Sequence, residues 1–329
     1  MKKVIFNQAG NPQDVLEIKE TDIPEVGAGQ VRIKVKAASV NPADGLFIQG
    51  YYGIKPKFPE SPVGLEGAGE IDAIGTGIGD GIQISKGMRV AFSTIGSWAE
   101  YVVVPANAVL PVPEELSWEQ GAQLFVNPFT ALAMLDEVNL QKGDWLLLTA
   151  GFSALNKMVI RIAKERGIKT ICTVRREEQV EPLLKLGAEA VINTEKDAVS
   201  ERVNALTEGK GAQACFESIG GKISEEVLNS MGQNGKMMVY GVLSGQPFQV
   251  NGGLMIFKEL SIKGFWLSEW MKNAGITTIA KLGKELHKLA KEDALHIEYG
   301  ETFPLEKAAD AVDFSNKAGK SGKAVIVCN

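Results

Sequence analysis

The sequence predicts an α/β fold in two parts, a barrel-like β domain and a doubly wound parallel sheet. Three observations predict it. Up to about residue 110 the chain holds short runs of alternating apolar and polar residues, bounded by glycine or serine, a pattern suited to a β barrel. From about residue 116, helical periods alternate with six short apolar runs, as in parallel strands joined by helices. The closing segment reads strand, helix, strand, which we take as a return to the β domain. The expected division is therefore 1–120 with 294–329 for the β domain and 121–293 for the parallel sheet.

The elements follow in order. The opening MKKVIFNQAG has too short an apolar stretch for a signal peptide and reads as a first strand. Residues 30–39 (QVRIKVKAAS) alternate strictly, and 69–75, 88–92 and 98–104 are shorter strands between turn residues. In the second part the apolar runs are 145–149, 169–174, 188–193, 212–218, 235–240 and 260–265. Helices are expected between them, for example over 156–166 and 179–186. A strand at 297–303, a helix at 305–314 and a strand at 323–327 complete the chain.

Composition narrows the function. With 329 residues, 45% of them hydrophobic, the chain has enough material for two cores. A net charge of −5 argues against a nucleic-acid or anionic-membrane surface. No apolar run reaches the roughly 18 residues that span a bilayer. Cys172, Cys215 and Cys328 are odd in number, far apart and set in apolar runs, so core thiols in a reducing cytoplasm are expected. The two histidines, His287 and His296, both come late. Proton chemistry at neutral pH therefore turns attention to a phenol. Residues 40–53 (VNPADGLFIQGYYG) present two, Tyr51 and Tyr52, between Gly50 and Gly53 after a helical turn begun at Asn41-Pro42.

The turn after the first apolar run of the second part is AGFSALNK, residues 150–157. A dinucleotide fold presents backbone amides to a pyrophosphate at this point. The glycine fingerprint is degraded: Gly151 is present, Ala154 is small, and Asn156 stands where a third small residue is expected. An ordinary strand–helix turn is the alternative, and placement after the first of six strands favours the cofactor reading. After the second run come Arg175, Arg176, Glu177 and Glu178. Arginines at this strand end suit a 2′-phosphate, and so NADPH, where an acidic residue would suit NAD. A solvated charge cluster at a helix start is the alternative, with the glutamates favouring the N-terminus.

These residues together resemble a medium-chain dehydrogenase/reductase over nearly the whole chain. Within that superfamily the chain is most similar to NADPH-dependent 2-enoyl thioester reductases of the mitochondrial type, with the quinone oxidoreductases as near neighbours. Segments 39–53, 125–131 (FVNPFTA), 239–247 (VYGVLSGQP) and 256–270 (IFKELSIKGFWLSEW) carry the closer match. The resemblance implies a GroES-like β-barrel catalytic domain and a Rossmann cofactor domain. It implies that Tyr52 is the catalytic acid, with Tyr51 in a variable place. It further implies cofactor contacts from Asn127 and Thr130 at the nicotinamide-ribose end, and from Phe152, Ser153, Ala154 and Leu155 in the pyrophosphate turn. Arg175 and Arg176 match the 2′-phosphate site. Tyr240, Gly241, Val242 and Leu243, and Phe265, Trp266 and Leu267, match segments flanking the nicotinamide. Lys323 matches a lysine reaching the cofactor from the β domain.

The zinc-dependent members place cysteine and histidine where this chain has Asn41 and Leu65, so a zinc-independent enzyme is implied. The implied substrates are an enoyl thioester, an enone or a quinone, and the implied assembly is a homodimer through late strands of the cofactor domain. Tyr240 and Phe265 could instead be core aromatics, and Trp266 and Trp270 could form a dimer surface. An NADPH-binding protein with little turnover is the alternative of another class.

Overall fold

Strict alternation in residues 30–39 makes the longest strand of the first part, with Val31, Ile33 and Val35 inward and Arg32, Lys34 and Lys36 on the opposite face. The computed structural model describes every residue except Ala318, Ser321 and Asn329, so those positions of the 294–329 expectation lie outside it. Its first strands are β1 (Lys2–Phe6), β2 (Leu16–Glu20), β3 (Gln30–Ser39), β4 (Ser61–Pro62), β5 (Glu66–Ile74), β6 (Arg89–Ser93), β7 (Tyr101–Pro105) and β8 (Val109–Pro111). β9 (Trp145–Leu148), β10 (Lys169–Val174), β11 (Ala190–Asn193), β12 (Ala212–Glu217), β13 (Met231–Val239) and β14 (Ser261–Gly264) follow, and then β15 (Tyr299–Pro304) and β16 (Lys323–Val327).

The chain divides into two units, one of Met1–Pro128, Gly283–Asp293 and Ile297–Asn329, the other of Phe129–Leu282 and Ala294–His296. In the first unit β2-β1-β4 form a small sheet, and β15-β16-β3-β5-β6-β8 form a larger one with β7 paired to β3. Its core gathers Phe6, Ile33, Phe47, Ile71, Phe92, Trp98 and Ile326. The strand–helix–strand ending returns to this unit, and β16 runs antiparallel to β3 and parallel to β15.

The second unit holds six strands in the order β11-β10-β9-β12-β13-β14, all paired in parallel. In chain order that is third, second, first, fourth, fifth, sixth, the doubly wound Rossmann arrangement. Strands buried on both faces need continuous apolar runs, and WLLL and KTICTV supply them. Helix Ala154–Glu165 turns Leu155, Met158, Val159 and Ile162 inward.

Among the boundaries that differ from expectation is the start of β13. β13 starts at Met231, well before residue 235, because the glycines and Asn234 that read as a turn are absorbed into an irregular stretch. Asn234 takes φ +57°, and the register against β12 shifts between Ala212 and Ala214.

All three cysteines are buried free thiols, and burial raises each, Cys328 to about 12. Among the described residues no helix is long and apolar enough to cross a membrane.

Candidate functional site

In the first unit, helix Pro42–Ile48 leads straight into the two tyrosines. Both Tyr51 and Tyr52 donate their backbone N–H to the carbonyl oxygen of Leu46, at 2.8 and 3.1 Å, and Gly50 takes φ +76° to make the turn. The two side chains part there. Tyr51 is 78% exposed, whereas Tyr52 is half-buried and packs on the core.

The same helix begins at a buried polar cluster. Asp44 accepts the backbone N–H of Asn41 at 2.7 Å, the return bond of a capping box at the helix start. Burial pushes its carboxyl up to about 8, against the Asn41 hydrogen bond; the Glu66 charge adds to the rise and Lys323 opposes it. The folded state thus retains a proton that the unfolded chain, with a value near 3.8, releases. This contribution to stability is full below the unfolded value and declines as pH rises toward 8, by up to about 1.4 kcal/mol per pH unit. Asp44→Asn should flatten the fall in melting temperature between about pH 5 and about pH 8. Parallel melting curves for the two proteins would count against this assignment.

Beside Asp44, Glu66 Oε1 accepts hydrogen bonds from Ser39 Oγ at 2.5 Å, Asn41 Nδ2 at 3.0 Å and Lys323 Nζ at 3.1 Å, while Oε2 accepts the backbone N–H of Val126 at 2.8 Å. Burial alone would raise the Glu66 carboxyl; the Lys323 charge and the bonds from Ser39, Val126 and Asn41 outweigh it, and the net shift is downward. Lys323 is the cationic member of this cluster. Its side chain is buried, and Nζ also donates to Asn41 Oδ1 at 2.6 Å, with a longer contact of 3.5 Å to Ser39 Oγ.

In the second unit the turn after β9 is held from several sides. Gly151 donates to the Thr173 carbonyl at 2.8 Å, and a Cβ there would lie 2.6 Å from that of Cys172, so only glycine fits without movement. Ser153 caps helix Ala154–Glu165, its hydroxyl accepting the N–H of Asn156. Asn156, fully buried, donates its side-chain amide to the carbonyls of Thr149 at 2.7 Å and Ala150 at 3.1 Å. It thus ties strand end to helix start where the fingerprint has a third glycine. Lys157 lies with Nζ 4.0 Å from the Phe152 ring centre, a cation–π contact.

Tyr240 follows β13, with its hydroxyl buried among Ser218, Asn156 and Ser153. Burial pushes the phenol up to about 12, those neighbours opposing, so it stays a donor. Its hydroxyl, Asn156 Oδ1 and Ser218 Oγ lack a protein hydrogen-bond partner among the described residues. Gly241 packs so closely on Ser218 that a Cβ would lie 2.8 Å from the serine Cβ, while Val242 and Leu243 are exposed.

After β10, Arg175 is exposed and Arg176 half-buried. Glu177 turns away from them: its Oε2 accepts from Asn193 Nδ2 and Lys196 Nζ, both at 2.9 Å, and these hold its carboxyl below the usual range. Glu178 approaches Arg176 at 3.8 Å.

After β14, Phe265 and Trp266 line a pocket of about 250 Å³ with Trp270, Glu137 and Lys263. Trp270 Nε1 and Lys263 Nζ both donate to the Glu137 carboxylate, at 3.1 and 2.6 Å. Leu267 begins the following helix. Thr130 is buried and Asn127 half-buried in helix Val126–Val138.

Sequence reasoning missed the cluster of Ser39, Asn41, Glu66 and Lys323. Its signal was a single charge of each sign inside otherwise apolar segments, GLEGAG and KAVIV. Among the described residues no group of three or more His, Cys, Asp or Glu comes together to hold a metal ion.

Comparison with known proteins is consistent with this geometry. Residues 27–114 match the family profile described as alcohol dehydrogenase GroES-like domain, and residues 154–282 match that of zinc-binding dehydrogenase. The chain is 32% identical to a human mitochondrial enoyl-[acyl-carrier-protein] reductase, over 99% of this chain and 88% of that one. A mycobacterial quinone oxidoreductase structure superposes with a TM-score of 0.87 at 26% identity, covering 100% of both chains. A complex of Etr1p with NADP and crotonyl-CoA superposes with a TM-score of 0.87 at 27% identity, covering 99% of each. With a GroES-like unit, a Rossmann sheet and alignment to such relatives from end to end, the chain belongs to the medium-chain dehydrogenase/reductase family.

Proposed function

We propose that this protein is a zinc-independent, NADPH-dependent oxidoreductase that reduces the conjugated C=C bond of a 2-enoyl thioester or related enone, with Tyr52 as proton donor. The observation that carries the proposal is the separation of the two phenols, Tyr52 fixed against the core and Tyr51 turned to solvent. The relatives named above support the substrate class: one is an enoyl-[acyl-carrier-protein] reductase, and one was solved with NADP and crotonyl-CoA.

The residues fit a dinucleotide phosphate. Gly151 keeps the turn free of a side chain, Ser153 and the amides beginning helix Ala154–Glu165 face an anion favourably, and the Tyr240 hydroxyl is a buried donor beside Ser153 and Asn156. Arg175 and Arg176 would hold the 2′-phosphate. NADPH, when bound, supplies the hydride. The chain's own task is charge. As the β carbon is reduced, negative charge collects on the carbonyl oxygen and α carbon of the substrate. Tyr52 donates a hydrogen bond or the proton there.

Quinone reduction is the second reading, favoured by the likeness to a quinone oxidoreductase structure. A quinone has no defined α carbon to protonate, so a placed phenol matters less. Supplied with NADPH, the protein is expected to saturate crotonyl thioester in preference to reducing a small naphthoquinone. Turnover of the quinone alone would replace the first reading with the second.

We also propose a homodimer. β14 is an open edge of the six-stranded sheet, and Ile256 and Phe257 just before it expose 71% and 81% of their surface. Light scattering should give twice the 35.4 kDa chain mass; a single-chain mass rejects the dimer.

A further inference from the structure

A buried ion pair usually contributes little net stability, and a buried lysine and glutamate that merely filled space would be replaceable by apolar residues. Lys323 and Glu66 do more than fill space, because each of the pair's polar partners begins or ends an element. Ser39 ends β3, Asn41 precedes helix Pro42–Ile48, Glu66 opens β5, Lys323 opens β16, and Val126 is the first residue of helix Val126–Val138. The two carboxylate oxygens divide the work. Oε1 gathers Ser39, Asn41 and Lys323, and Oε2 takes the Val126 N–H, one of the amides that a helix leaves without an internal partner. A negative charge at that place also suits the helix dipole. Lys323 Nζ in turn fixes the Asn41 side chain through Oδ1.

We propose that Lys323 and Glu66 form a positioning pair that sets the starts of two helices, the one that leads to Tyr52 and the one that carries Asn127. Neither residue needs to touch a reacting atom. Asn41 anchors helix Pro42–Ile48, whose Leu46 carbonyl holds the Tyr51 and Tyr52 amides. Glu66 anchors Val126, the residue before Asn127. A neutral amide at position 66 has one acceptor oxygen, so it cannot serve Val126 and the Ser39–Asn41 pair together. An apolar residue at 323 leaves the Asn41 oxygen unmet and the Glu66 charge unpaired. The role in turnover rests on the reductase reading above; the role in holding the two helices does not.

The test uses the full chain as wild type, Lys323→Met, and the charge-balanced double variant Glu66→Gln/Lys323→Met. Three quantities are read: melting temperature, amide hydrogen exchange at Val126 and Tyr52, and kcat and KM on crotonyl thioester and on naphthoquinone with NADPH. For Lys323→Met, kcat should fall about tenfold or more, and the Val126 amide should exchange about tenfold faster or more. The double variant buries no charge and should recover much of the melting temperature, yet keep the low kcat and the fast exchange. It also serves if Lys323→Met does not fold. Recovery of kcat and slow exchange together with melting temperature would reduce the pair to charge balance and overturn the proposal. So would unchanged kcat and exchange in Lys323→Met. A wild type inactive on both acceptors defeats the reductase reading instead, and the exchange rates then decide the proposal by themselves.

Discussion

Tyr52→Phe is expected to lower turnover of an enoyl thioester by about 10²–10⁴-fold, the usual worth of a general acid. Only the hydroxyl is lost, and the ring keeps its packing on the core of the first unit. Binding of NADPH should change little, since the substitution removes an interaction that strengthens as charge develops on the substrate. Tyr51→Phe serves as the control: Tyr51 is 78% exposed, and its loss should leave turnover near wild type. The decisive measurement is kcat for the two variants, with NADPH affinity measured separately. If Tyr52→Phe retained near wild-type turnover, the phenol would have no part in proton transfer. If Tyr51→Phe were the damaging change, the proton would come from the neighbouring ring.

Replacing Arg175 and Arg176 together by alanine should weaken NADPH binding roughly tenfold to a hundredfold and leave NADH binding within about threefold. Each guanidinium offers forked, charge-assisted hydrogen bonds to a phosphate, and NADH has no 2′-phosphate to receive them. The adjacent glutamates raise a fair objection, since they would oppose the same phosphate. The structure answers half of it. Glu177 is engaged by Asn193 and Lys196, and Glu178 approaches Arg176 at 3.8 Å. Titration of both cofactors against wild type and variant checks the expectation. A wild type that binds NADH more tightly than NADPH would remove the 2′-phosphate role from this pair.

Much of the fold was legible because burial leaves plain marks. Parallel strands covered on both faces must be apolar throughout, so KTICTV could be bounded at both ends from sequence. The half-covered β3 shows its two faces by alternation. β13 was harder, because Gly232 and Asn234 carry turn chemistry inside a strand. Candidate site residues stand out in the sequence where residue types are rare: two phenols on a glycine-flanked turn, two arginines at a strand end. Asn156 could be recognised as a departure, but its bonds to Thr149 and Ala150 depend on the turn being folded. The Glu66–Lys323 pair is separated by 257 residues, and no local pattern announces contact over that distance.

The place of β16 in the first sheet has a consequence for assembly on the ribosome. β15 and β3 do not pair with each other; both pair with β16. Until residues 323–327 have emerged, the sheet is therefore split: β5 and β7 can pair with β3, but Ala37, Ala38 and Ser39 still lack their β16 partners. Residues 129–282 form a nearly uninterrupted unit whose six strands have all been made by then. Domains generally fold as units in the order of synthesis. The Rossmann half can thus be complete while the barrel half still lacks the strand that joins its two pieces, and the same strand brings in the ammonium that meets Glu66.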